Sequence, residues 1–162
     1  MSGGSLVRAA RQEDVMERRS IMRAGLAAVV GVLGANRAQA AGPERPRQRV
    51  AYHLSDQDRV LFVLGNIQNH IDGTGGPGKA DIRLVVHGPA LRAFHAISIE
   101  PNIAELAARL IKGGTALEAC ANTMKAQGVK LDDLTDGFIV AEKGGVVRLT
   151  ELQQDGYAYL RP

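Results

Sequence analysis

The chain divides into two regimes of apolar and polar patterning. Residues 1–17 are polar with no sustained period, and residues 24–34 form a weakly apolar run rich in glycine and alanine. From residue 50 onward, short apolar runs alternate with segments whose apolar positions recur every three or four residues. The first kind predicts strands and the second predicts amphipathic helices. Residues 50–54 read as a strand. Ser55 then offers an N-cap, and Val60, Val63, Leu64, Ile67 and Ile71 follow at helical spacing. Residues 82–86 form a second strand whose continuous apolar end predicts a central place in the sheet. A short helical turn is expected over 90–95. Asn102 is set to cap a helix striped by Ile103, Leu106, Ala107, Leu110 and Ile111, with Glu105 in capping-box position and Gly113 at its end. Residues 116–119 lead into Cys120 and a helical segment closing on Gly128. Residues 138–141 are a fourth strand. A last helix runs over about 146–154, and the alternating Tyr157-Ala158-Tyr159-Leu160 predicts an edge strand.

Strands alternating with helices in a short domain predict a three-layer α/β fold. Its five-stranded sheet is mostly parallel, with helices on both faces, as in flavodoxin-like folds. Right-handed crossovers place every strand's carboxyl end on one rim, where ligands of such folds bind. Ser55, His87-Gly88, Cys120-Ala121-Asn122 and Lys143-Gly144-Gly145 therefore converge by topology.

The early segment reads as an export signal. Arg18-Arg19 precedes the apolar run, and Ala38-Gln39-Ala40 follows it as a cleavage pattern. The paired arginines point to the twin-arginine route. The run is too short to span a bilayer, which needs about 20 residues. The expected organisation is a cleaved signal over residues 1–40, an extended tether over 41–49 and a folded domain over 50–162, working in the periplasm without stable membrane insertion. Charge follows the same division. The whole chain carries +3, but six of its 20 Lys and Arg and three of its 17 Asp and Glu lie in residues 1–40, leaving 14 of each beyond. The remaining domain is neutral, which removes the electrostatic case for nucleic acid.

Cys120 is the chain's single cysteine, so no intrachain disulfide is possible. A thiol at a strand-to-helix junction meets unpaired helix amides and the positive end of the dipole, which favours its thiolate. His87, on the same rim, is the candidate proton acceptor beside it. Gly88, Asn122, Thr123, Gly144 and Gly145 are the candidate ligand-binding positions. Residues 73–80 fit both G-x-x-x-x-G-K and G-x-G-x-x-G, but a helix precedes them and a strand follows. Phosphate loops need the reverse order, so this is a turn. His53, His70, His87 and His95 show no metal-ligand spacing, and neither a metal nor a cofactor is expected.

From residue 50 onward the chain resembles the DsrE/DsrF-like family of small sulfur-relay proteins. The resemblance rests on Val85-Val86-His87-Gly88-Pro89-Ala90-Leu91, Ala119-Cys120-Ala121-Asn122-Thr123-Met124, Asp132-Asp133-Leu134 and Gln154-Asp155-Gly156-Tyr157-Ala158-Tyr159-Leu160. It implies a homo-oligomer, often a trimer or hexamer, or a hetero-oligomer with a related subunit. It also implies a sulfurtransferase or sulfur-carrier role in which Cys120 bears sulfane sulfur as a persulfide, exchanged with a donor or acceptor protein. The family's relays are cytoplasmic, and the export signal sets this chain apart from them. The alternative is a non-catalytic periplasmic binding or assembly module in which Cys120 fills core volume.

Overall fold

The computed structural model describes residues 46–162. The expected signal peptide and the first part of the tether lie outside the described residues. Strands β1 (Gln48–Leu54), β2 (Ala80–Val86), β3 (Ala116–Cys120), β4 (Phe138–Ala141) and β5 (Ala158–Leu160) form one sheet in the order β4-β3-β2-β1-β5. Every pairing in it is parallel. Helices α1 (Val60–Gly73), α2 (Pro101–Lys112), α3 (Ala121–Gln127) and α4 (Gly145–Gln154) connect the strands, with 3-10 turns at Gln57–Arg59, Gly88–Phe94 and Leu131–Asp133.

Pleat and handedness explain the layers. The chain steps from β1 to β4 in one direction, so right-handed crossovers put α1, α2 and α3 on one face. The return from β4 to β5, beside β1, puts α4 on the other. The core divides accordingly. Val50, Tyr52, Leu54, Leu84, Val86, Leu117 and Ala119 pack against Leu64 and Ile67 of α1, Ala107 and Leu110 of α2 and Met124 of α3. Their pleat partners Ala51 and Val85 meet Leu149, Leu152 and Tyr157. On that second face β3 contributes Glu118, buried at 2 % exposure. Arg148 of α4 grips it through two bonds, Nε to Oε2 at 2.5 Å and Nη2 to Oε1 at 3.1 Å. A carboxylate in the sheet thus ties α4 down where apolar packing is thin.

Several ends differ from expectation. β1 begins at Gln48, so Gln48 and Arg49 of the expected tether belong to the sheet. Ser55 does not cap α1, which starts five residues later after a 3-10 turn. Its hydroxyl accepts from Arg161 at 3.0 Å and donates to Asp56 at 3.3 Å. Asn102 is not the N-cap of α2 either. Pro101 occupies the first turn, where its missing N–H costs nothing, so Glu100 takes the cap position. The carboxylate of Glu105 is engaged by Arg109 instead. Gly113 keeps a right-handed φ of −75°, and Gly114, at +92°, makes the turn. Residues 73–80 do connect a helix to a strand, as the rejection of a phosphate loop requires.

Candidate functional site

The loops after β3 and β4 leave for opposite faces of the sheet, α3 on one and α4 on the other. The two carboxyl ends therefore flank the switch point of the sheet, the usual ligand position in open α/β folds. Cys120 closes β3 at this switch point, 5 % exposed. Its partner in register is Ala141, and one residue past the Val86–Ala119 pair His87 follows the end of β2 beside it.

The sulfur is buried yet surrounded by donors. Burial pushes the Cys120 thiol up. Against this, the neighbouring donors, the Thr123 hydroxyl first and then the backbone N–H groups of Gly145, Thr123 and Asn122, favour the thiolate and hold the group below the ordinary thiol range. The Thr123 hydroxyl is itself oriented, because its Oγ1 accepts from the Gly88 amide at 3.0 Å and its one proton is left for the sulfur. Gly88 needs its φ of +58° to present that amide. Gln127 then fixes the Gly88 carbonyl, donating to it at 3.0 Å, while its own Oε1 accepts from His95 Nε2 at 2.9 Å.

The double glycine admits the fourth donor. A Cβ on Gly144, whose φ is +92°, would lie 2.6 Å from Asn122 Nδ2 and 3.9 Å from Cys120 Sγ. On Gly145 it would lie 3.3 Å from His87 Cβ and Cδ2 and 3.4 Å from Cys120 Cβ. Glycine is therefore what lets the start of α4 descend between His87 and Cys120. The expected site residues Cys120, Asn122, Thr123, Gly88, Gly144, Gly145 and His87 stand together.

His87 is not among the groups bonded to the sulfur. Its Nε2 lies 2.5 Å from His53 Nε2, the two rings stacked with centroids 4.6 Å apart. His53 Nδ1 in turn lies 2.7 Å from the Tyr159 hydroxyl. Nothing in the residue pattern around His53 or Tyr159 marks either as part of a site. The signal lies in the sheet instead: both share the pleat face of His87, and register alone would have grouped them once the strand order was known. Burial holds His53 down to about 4, helped by His87 and Arg161 and opposed by Asp56. Burial, then Arg161, lowers His87, again against Asp56. Among the described residues no three His, Cys, Asp or Glu side chains gather as a metal site.

The sequence model of the DsrE/DsrF-like family matches residues 48–162. The chain belongs to that family. A solved protein of unknown function from Methanobacterium thermoautotrophicum, MTH1491, superposes with a TM-score of 0.63 at 28 % identity, covering 71 % of this chain and 99 % of its own. The ychN protein of E. coli gives a TM-score of 0.56 at 15 % identity, over 71 % of this chain and 100 % of its own. BT1422, a conserved protein of unknown function from Bacteroides thetaiotaomicron, gives 0.54 at 18 %, over 70 % and 95 %. The last two establish a shared DsrE-like fold alone. No curated protein gives a significant match.

Proposed function

We propose that this DsrE-like domain carries sulfane sulfur as a persulfide on Cys120, and that it does so in the periplasm after twin-arginine export. The observation that carries the reading is the position of the chain's single thiol at the junction of β3 and α3, where, against its burial, the Thr123 hydroxyl and neighbouring backbone N–H groups hold it below the ordinary thiol range. Donors so placed favour an anionic sulfur and give it fixed partners in a site shielded from water. In the step we envisage, the Cys120 thiolate attacks the outer sulfur of a donor R–S–SH. The donor's S–S bond breaks, a new S–S bond forms on Cys120, and R–S⁻ leaves with the bonding pair. One sulfur moves between two thiolates, so no external oxidant is required. Release to an acceptor thiolate is the same step reversed.

Intact mass of the processed protein after incubation with inorganic polysulfide tests this. The expected product is a reducible adduct of one sulfur atom on the wild type, absent from Cys120→Ser. No adduct, or one that survives the substitution, overturns it.

The 5 % exposure of Cys120 favours a competing reading, a structural cysteine in a binding or assembly module. That reading requires labelling by a thiol reagent only in denaturant. Rapid labelling of the native protein at neutral pH excludes it.

A further inference from the structure

Four residues climb the rim as a staircase on the face that carries α4. Tyr159 of β5 is level with Ala51, His53 of β1 stands two residues further along, and His87 follows Val86 at the end of β2. Cys120 ends β3 beside it. The first three are linked by the contacts at 2.7 and 2.5 Å. The chain runs from Tyr159, 41 % exposed, to His87, whose Cβ and Cδ2 and the Cβ of buried Cys120 all lie within 3.4 Å of where a Cβ on Gly145 would stand.

Tautomers make this chain directional. His53 and His87 both have lowered proton affinity, so at neutral pH each ring carries one N–H. If the Tyr159 hydroxyl donates to His53 Nδ1, the His53 proton must be on Nε2, pointing at His87 Nε2. The His87 proton is then on Nδ1, which has no partner among the described residues. The opposite polarity reverses every member at once. A chain with two such states passes a proton from one end to the other when it switches.

We propose that Tyr159, His53 and His87 form a proton relay between bulk water and the sulfur-transfer site of Cys120. This deepens the persulfide reading and rests on it. During loading, His87 Nδ1 gives its proton to the departing R–S⁻, which leaves as R–SH. His53 Nε2 replaces it at His87 Nε2, the Tyr159 hydroxyl replaces that at His53 Nδ1, and water reprotonates Tyr159. Proton release from the Cys120 thiol before attack supplies the compensating proton to solvent, so loading is neutral overall: a thiol and R–S–SH become a persulfide and R–SH. His53 and Tyr159 are positioning and relay residues, and neither touches the donor. Arg161 and Asp56, paired at 3.0 Å, are the charges flanking the chain.

The test compares two rates on each variant at neutral pH: loading of Cys120 from a small alkyl persulfide, and alkylation of Cys120 by iodoacetamide, which needs a thiolate but no proton for a leaving thiol. Tyr159→Phe removes only an exposed hydroxyl. His53→Gln keeps a donor and an acceptor but cannot pass a proton through its amide. Both should lower loading about tenfold or more, leave alkylation within about twofold by the same reasoning, and abolish any solvent deuterium effect on loading. Unchanged loading in either variant overturns the relay, as does a parallel fall in both rates, which would mark His53 and Tyr159 as supports of the thiol itself. A wild type that alkylates but takes no sulfur overturns the persulfide reading and the relay with it.

Discussion

At the scale of single residues the site is held by groups with one remaining choice. The Thr123 hydroxyl accepts from Gly88, which leaves its proton free for Cys120, and it leads the groups that lower the thiol against burial. Thr123→Val keeps the shape but removes that donor, and the thiol should shift upward. A hydrogen bond to a charged group is worth roughly 1.5–3 kcal/mol, so alkylation at neutral pH should slow by about ten- to a hundredfold. Thr123→Ser, which retains the hydroxyl, should stay close to wild type. The measurement is the rate of iodoacetamide labelling across pH, and equal profiles for Val and Thr would show that the hydroxyl does not stabilise the thiolate. Cys120, His87 and the double glycine were legible beforehand because topology alone sends strand ends to one rim. Thr123 and Gly88 were legible only as positions. Their coupling depends on a backbone amide turned by a positive φ, and that geometry follows from how the turn packs, not from a residue pattern.

At the scale of elements the weak point is α4, which alone covers the second face of the sheet among the described helices. It presents Leu149 and Leu152 to Ala51 and Val85, and otherwise relies on the Arg148–Glu118 pair. Arg83 adds a longer contact to Glu118 at 3.7 Å. Removing one partner of a buried pair leaves an uncompensated charge, typically at about 3–5 kcal/mol. Arg148 keeps 26 % side-chain exposure, so Arg148→Met should cost about 2–4 kcal/mol. The double variant with Glu118→Met should recover part of that, because no charge is then stranded. Urea unfolding of the three proteins decides it, and a double variant less stable than the single would contradict the account. Helix periods placed α1, α2 and α4 well, since each has a continuous apolar stripe. Their first turns were misplaced at Ser55 and Asn102. A capping residue is a local signal, and at Ser55 Arg161, more than a hundred residues away, competes for the same oxygen.

At the scale of the whole molecule the alternation of runs was enough for the layers and the rim, but not for the order of strands. The return of β5 to the side of β1 puts the switch point between β3 and β4, and it also brings Tyr159 to His53. This arrangement links the site to the stability of the fold through pH. His53 is held at about 4 in the folded chain against 6.5 when free, so between those values the unfolded chain binds more protons. Stability must then fall as pH drops from about 6.5 toward 4 and level off below it, with His87 adding to the loss in the same direction. Asp81 does not blur this window. Burial alone would raise it, but the Tyr157 hydroxyl and Arg83 outweigh that and hold it below its ordinary 3.8, so its own contribution is lost only at more acid pH. Urea midpoints at pH 7 and pH 5 should therefore differ for the wild type and differ less for His53→Gln, which cannot take up the proton at that position, the remainder being the share of His87. Equal midpoints in the wild type would mean that the paired imidazoles are not kept neutral by folding, and the tautomer chain along the rim would lose its physical basis.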